Sequence, residues 1–318
     1  MITNFQVPGA FPTMITPYNK DGSVDLGAAR ALTAWYYEHG CHGIFAVCQS
    51  SEIFFLTEAE RVALTRTVVD EAARLAAADK NGRKMTIVAS GHTGNTHDVQ
   101  AHELNAIAAE GPDALILITN RMDTAWEGDD AWIRDCDKLI AELPSIPLGV
   151  YECPYPKKRL LTEKMLRYCA DSGRFAFIKD TCCDAAEIAK RIRVLEGSTV
   201  QLYNANAQTL LESLRAGAHG YCGVMCNFHP KLYVYLCEHF AEEPETADLI
   251  QSFLGTAAYT EMLAYPVTAK YHLQEIAGLP INSIFSRARS QYELTDYQKS
   301  SIQQLNLLAN ELERILLK

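Results

Sequence analysis

No stretch of the 318 residues approaches 18 consecutive apolar residues, so no membrane-spanning helix is expected. Residues 1–8 lack a basic start followed by an apolar run and do not read as a secretory leader. Basic residues are in deficit: 29 Lys and Arg face 39 Asp and Glu, a net charge of −10. A nucleic-acid binder needs a basic face, which this balance does not supply, although a local basic pocket for a small anion stays open. No C-x-x-C pair occurs among the ten cysteines, which disfavours a zinc ribbon or a thioredoxin-type site. The cysteines are scattered, and Cys48, Cys153 and Cys222 lie in apolar runs, as buried reduced thiols of a cytoplasmic protein do. No H-x-H or H-E-x-x-H pairing is present, no internal repeat and no low-complexity tract.

What is present is an alternation. Short apolar runs at 10–15, 43–48, 85–90, 114–119, 147–153, 175–179, 199–204 and 220–224 read as strands. Several are apolar without interruption, such as Ala114-Leu115-Ile116-Leu117-Ile118, which is the pattern of strands covered on both faces. Helix signals separate them. Thr57-Glu58-Ala59-Glu60 forms a capping box, followed by Leu64, Val68, Ala72 and Leu75 at helical spacing. Ala186, Ile188, Ala189 and Ile192 make a second stripe, and a third segment at 207–216 stops at Gly217. This order predicts an α/β fold, a (β/α)8 TIM barrel, with a doubly wound open sheet as the competitor. After Pro230 only helix signals follow, at 232–240, 245–263, 266–277 and 295–317. The predicted division is a barrel over residues 1–230 and a C-terminal helical extension over 231–318 packed on it.

Three places carry chemistry. Phe175-Ala176-Phe177-Ile178-Lys179-Asp180 brings a lysine to the C-terminal end of an apolar strand, the end at which barrel enzymes place catalytic residues. Burial disfavours a charged amine, and a neutral amine can attack a ketone to form a Schiff base. The bland alternative is a lysine paired with Asp180 or Asp184. Val150-Tyr151-Glu152-Cys153-Pro154 ends the preceding strand, so Tyr151 can lie near that amine and pass a proton, or can be a core tyrosine. In Cys48-Gln49-Ser50-Ser51-Glu52 successive amides and hydroxyls can hold a carboxylate, or form an ordinary polar loop. His92, Arg121 and the basic run Lys157, Lys158 and Arg159 fall on the same rim. A metal-dependent hydrolase using His92, Glu152 and His229 is the rival reading, and it leaves Lys179 unexplained.

In this order the residues resemble the dihydrodipicolinate synthase / N-acetylneuraminate lyase family of class I aldolases. The resemblance runs from Gly9-Ala10-Phe11-Pro12-Thr13 and Asp21-Gly22-Ser23 through the Cys48 to Glu52 loop and Leu56-Thr57-Glu58-Ala59-Glu60-Arg61. It continues through Tyr151-Glu152-Cys153-Pro154 and Ile178-Lys179-Asp180 to Gly217-Ala218-His219-Gly220 and Asn227-Phe228-His229-Pro230. It implies a TIM barrel with a helical tail, usually a homotetramer, acting as a lyase or aldolase on a pyruvate-type 2-oxo acid. By the same resemblance Lys179 is the Schiff-base lysine, Tyr151 the proton shuttle, and Ser50 with the Ser51 amide the carboxylate site beside Gln49. It implies no metal and no organic cofactor. The chain also departs from the family. Cys48 and Ser51 replace loop glycines, and Gln49 replaces the first loop Thr or Ser. No tyrosine occurs at 118–123, where dihydrodipicolinate synthase proper has one, and the arginine expected soon after Pro154 is displaced to Arg159. These departures point to a 3-deoxy-2-oxo sugar acid or related hydroxy-2-oxo acid, with Arg121 as the expected distal contact. Dihydrodipicolinate synthase proper and an inert 2-oxo-acid-binding member are the alternatives.

Overall fold

The computed structural model describes residues 7–317. Its strands are β1 Gly9–Pro12, β2 Gly43–Phe45, β3 Thr86–Ala89, β4 Ala114–Ile118, β5 Leu148–Tyr151, β6 Phe175–Asp180, β7 Gln201–Asn204 and β8 Gly220–Gly223. The helices between them are α1 Leu26–Glu38, α2 Glu58–Ala78, α3 His97–Ala108, α4 Asp129–Glu142, α5 Glu163–Asp171, α6 Ala185–Leu195 and α7 Leu210–Arg215. After β8 come α8 Pro230–His239, α9 Pro244–Ala257, α10 Val267–Tyr271 and α11 Asp296–Leu316.

The sheet runs β1-β8-β7-β6-β5-β4-β3-β2, and every paired neighbour is parallel. A parallel bridge between Thr13 and Phe45 and a bond from Met14 N to Phe45 O at 3.1 Å join the two ends. That junction distinguishes a barrel from the open-sheet competitor. All five residues of β4 are buried, as its uninterrupted apolar run requires. The capping box opens α2 as the sequence predicts: Thr57 Oγ1 accepts from Glu60 N at 3.3 Å, and Glu60 Oε2 accepts from Thr57 N at 2.8 Å. Where β1 meets β8, a Cβ at Gly220 would stand 1.9 Å from the Gly9 carbonyl oxygen, so only glycine permits this approach.

Phe11, Phe177 and Tyr203 fill the barrel interior, with the Phe177 and Tyr203 rings stacked at 4.3 Å. Lys179 lies two residues beyond Phe177, so strand alternation puts it on the same inward face, one layer nearer the mouth.

The elements differ from the sequence expectation at their ends. Several strands leave the sheet early and curl into single 3-10 turns, at Gln49–Ser51, Thr119–Arg121 and Val224–Asn227. Two of the tail helices are shorter than their apolar patterns suggest. The segment expected at 245–263 tightens into a 3-10 turn at Ala258–Met262, and that expected at 266–277 passes from α10 into a π turn at His272–Ile276. The segment between that π turn and α11 returns to the barrel mouth. There Glu52 Oε2 accepts from Ser286 Oγ and from Ala288 N, each at 2.9 Å. Lys270 Nζ bonds Glu52 Oε1 at 2.7 Å and Phe285 O at 2.6 Å, and Arg287 grips Glu60.

Candidate active site

At the C-terminal ends of the strands lies a cavity of about 500 Å³. Lys179 and Tyr151 line it, and they are direct partners in the β5/β6 ladder. Lys179 is only 4% exposed. Its Nζ stands 4.3 Å from the centroid of the Tyr151 ring and 5.7 Å from that of Phe45. No carboxylate among the described residues lies within ion-pair distance of it. Asp180 and Asp184, the partners a merely structural lysine would use, are engaged elsewhere: Asp180 with Arg191, and Asp184 capping α6. The amine is therefore held by ring faces and opens on the cavity.

Burial pushes the Tyr151 phenol well above its ordinary range, so it is neutral and can donate a proton. Its hydroxyl faces Gln49 Oε1 at 3.5 Å, and the same oxygen meets Cys153 Sγ at 3.4 Å. Ser50 also lines the cavity; its Oγ donates to Thr13 Oγ1 at 3.0 Å and contacts the Tyr265 phenol. Ser51 faces the other way. Its Oγ lies 2.7 Å from Met14 O and 2.8 Å from Ala46 O, and its amide bonds Cys48 O. Gln49 and Ser50 thus reach the cavity while Ser51 ties the β2 turn to the barrel wall.

Arg121 sits outside the cavity lining. Its guanidinium bonds Thr93 O at 3.2 Å, Asn95 Oδ1 at 3.0 Å and Asn120 Oδ1 at 3.1 Å. The basic run is likewise committed. Lys157 lies over the Trp126 ring at 3.8 Å, Lys158 donates to Thr181 O, and Arg159 is buried on Asp123 at 2.8 Å. His92 accepts from Ile118 N at 2.6 Å through Nε2, which leaves Nδ1 to donate to Gln100 Oε1 at 3.1 Å. His229 is buried between Tyr233 and Phe253. Glu152 faces Arg191, Leu161 N and Thr181 N. The three residues of the metal-site alternative are each built into a different part of the fold.

Three residues that the sequence reading did not select also line the cavity: Glu261, Tyr265 and Arg289. They come from the returning tail, where short turns carry no periodic signal. Glu261 has no hydrogen bond or ion pair with any described residue. Burial raises its carboxyl to about 7, with Lys179 opposing that rise. The cavity therefore combines an amine without an ion-pair partner, a neutral phenol, hydroxyl and amide groups suited to a carboxylate, and a second carboxyl able to exchange a proton near neutrality.

The chain is 27% identical over 282 residues to 4-hydroxy-tetrahydrodipicolinate synthase of Acidithiobacillus ferrooxidans, covering 85% of this chain and 89% of the relative. It is 27% identical over 230 residues to the enzyme of that name from Neisseria meningitidis serogroup B, covering 72% and 74%. In fold it is similar to dihydrodipicolinate synthase from Bacillus anthracis, with TM-score 0.82, 18% identity and 96% and 99% of the two chains covered. It is also similar to YagE, a prophage protein of the dihydrodipicolinic acid synthase family from E. coli solved with pyruvate, with TM-score 0.78, 20% identity and 96% and 98% covered. The model of the dihydrodipicolinate synthetase family matches residues 6–287, and the chain belongs to that family as one of its lyases.

Proposed function

We propose that the protein is a Schiff-base aldolase or lyase acting on a 2-oxo acid, with Lys179 as nucleophile and Tyr151 as proton carrier. The observation that carries this reading is the pairing of Lys179 and Tyr151 across one ladder, with no carboxylate among the described residues paired to the amine. The Lys179 nitrogen adds to the keto carbon to give a carbinolamine. The hydroxyl so formed takes a proton from Tyr151 and leaves as water, and the C=N bond closes. The Tyr151 phenolate so left then takes a proton from the adjacent carbon, which gives an enamine and restores the phenol. That carbon can bond to an aldehyde carbon, whose oxygen takes up a proton, and water then hydrolyses the imine to free the lysine. Cleavage is the same path reversed. Expulsion of a neighbouring hydroxyl as water from the enamine is the dehydration outcome.

Ser50, beside Gln49, is the proposed seat of the substrate carboxylate. Pyruvate as donor is supported by the solved relatives that hold it. A hydroxylated 2-oxo acid is proposed over aspartate semialdehyde, because Arg159 is bound into the fold by Asp123 and no tyrosine stands at 121 or 122. The names of the curated relatives favour the semialdehyde instead. The test is borohydride trapping of pyruvate on the intact protein, followed by kcat/KM for pyruvate with aspartate semialdehyde beside cleavage of several 3-deoxy-2-oxo sugar acids and N-acetylneuraminate. The expected result is one reduced adduct and the higher efficiency with a sugar acid. Efficient condensation with the semialdehyde alone, above about 10⁴ M⁻¹s⁻¹, would make the chain a 4-hydroxy-tetrahydrodipicolinate synthase.

Tyr151→Phe removes one hydroxyl and leaves the ring that packs Lys179. Turnover is expected to fall by roughly 10²–10⁴ with the fold intact. A near-UV spectrum and kcat check this, and a change of only a few-fold would assign the proton to another group.

A cytoplasmic location is proposed from the ten free cysteines. No helix among the described residues is long and apolar enough to cross a membrane. A homo-oligomer, tetramer or dimer, is proposed from the exposed Leu249, Tyr259, Met262 and Leu307 on the tail.

A further inference from the structure

We infer that Arg289 forms a distal subsite for a second anionic group, so that the cavity takes a 2-oxo acid carrying a carboxylate or phosphate at its far end. This rests on the Schiff-base reading and extends it. Arg289 lines the same cavity as Lys179, and it is exposed where Lys179 is buried, so the two mark the mouth and the floor.

Other arginines near the barrel mouth already have partners for their terminal nitrogens. Arg61 pairs with Glu103, Arg159 with Asp123, Arg191 with Glu152 and Asp180, and Arg287 with Glu60. Arg121 spends its guanidinium on Thr93, Asn95 and Asn120. Arg289 differs. Its Nε donates to Tyr265 O at 2.9 Å, and neither terminal nitrogen has a hydrogen-bond or ion-pair partner among the described residues. A guanidinium anchored through Nε presents its two terminal nitrogens as a free edge, the geometry that receives an anion through paired hydrogen bonds.

The mount is rigid. Arg289 N donates to Ser286 O at 3.2 Å, closing a 3-10 turn over Arg287–Arg289, and Ser286 Oγ caps that turn by accepting from the same amide at 3.2 Å. Glu52 holds that turn through Ser286 and Ala288, and Lys270 buttresses Glu52. Glu52 belongs to the same loop as Gln49 and Ser50, so one loop shapes the carboxylate end of the cavity and positions the arginine at the mouth. Arg289 thus presents to the cavity the guanidinium edge that Arg121 and Arg159, each bound into the fold, do not. The Glu261 carboxyl, unpaired among the described residues, lines the same cavity and is available to accept a hydrogen bond from a substrate hydroxyl.

The experiment measures the concentration for half-maximal borohydride trapping on the full chain. Probes are pyruvate; 2-oxoglutarate, 2-oxoadipate and 2-oxopimelate; their methyl-ended counterparts of equal chain length; and a 2-oxo acid ending in phosphate. At least one doubly anionic acid is expected to saturate at about tenfold lower concentration or less than its neutral counterpart. Arg289→Gln is expected to erase that gap while leaving pyruvate within two-fold, and whether the diacid or the phosphate gains most identifies the anion. Equal saturation of charged and neutral partners, or a gap that survives Arg289→Gln, overturns the subsite. If pyruvate itself leaves no adduct, the Schiff-base reading fails instead. Calorimetric titration of the same acid pairs then decides the subsite: a charge preference lost in Arg289→Gln supports it, and none overturns it.

Discussion

Lys179→Ala is expected to abolish the pyruvate adduct and to lower turnover by roughly 10⁴-fold or more, the scale on which loss of a covalent nucleophile acts. Lys179→Arg is expected to do the same. It keeps a cation over the Tyr151 and Phe45 rings, but a guanidinium stays protonated and cannot attack a ketone. The pair of variants separates the chemistry of the amine from its charge. Both are expected to fold, because Lys179 Nζ makes no hydrogen bond or ion pair with any described residue that its loss would strand. Peptide mapping of the reduced protein is the deciding measurement. Lys157 and Lys158 are the nearby competitors in sequence, but one ammonium lies 3.8 Å over the Trp126 ring and the other bonds Thr181 O. A pyruvate adduct on either, or full trapping in Lys179→Ala, would overturn the assignment.

The frame of this site is visible in the chain because strands announce themselves. The uninterrupted run in β4 and the apolar residues leading into Lys179 carry enough hydrophobicity to mark buried strands. One βα unit separates Tyr151 from Lys179, so parallel pairing of neighbours brings them side by side. Direction within a loop has no such rule. Ser50 and Ser51 are adjacent in a 3-10 turn, yet one hydroxyl meets the cavity and the other finds the carbonyls of Met14 and Ala46. Arg121 lies three residues past the end of β4, on the rim that the pattern suggests, but its side chain is drawn toward the Thr93 and Asn95 loop. Glu261, Tyr265 and Arg289 arise from a 3-10 turn, a linker and a strap. The placement of Arg289 depends on contacts of Ser286 and Ala288 with Glu52, more than 200 positions away in the chain. No local period encodes such contacts.

Arg191→Met is expected to cost about 3–5 kcal/mol of stability, because it leaves two buried carboxyls without their cation. Arg191 Nη1 reaches Glu152 Oε1 at 2.7 Å and Asp180 Oδ2 at 2.6 Å, and both acids are fully buried. These acids directly follow Tyr151 and Lys179, so the guanidinium also fixes the two strand ends that carry the chemistry. Glu152 is already raised to about 7, by burial first and then by the charge of Asp180, with Arg191 pulling down. A carboxyl whose folded pKa exceeds its unfolded value binds more protons in the folded state. Its contribution is therefore greatest at low pH and is lost as pH rises from the unfolded carboxylate range through about 7. Removing Arg191 takes away the largest pull downward, leaving the Leu161 and Thr181 amides, and extends that window upward. The stability gap between Arg191→Met and the parent should then be wider at pH 8 than at pH 5.5. Urea unfolding at both pH values and matched protein concentration measures it. Arg191→Met combined with Glu152→Gln should recover part of the loss and flatten the added pH dependence, since only one buried carboxyl then lacks a cation. A single variant within about 1 kcal/mol of the parent at both pH values would show that the two acids are neutralised by some other route.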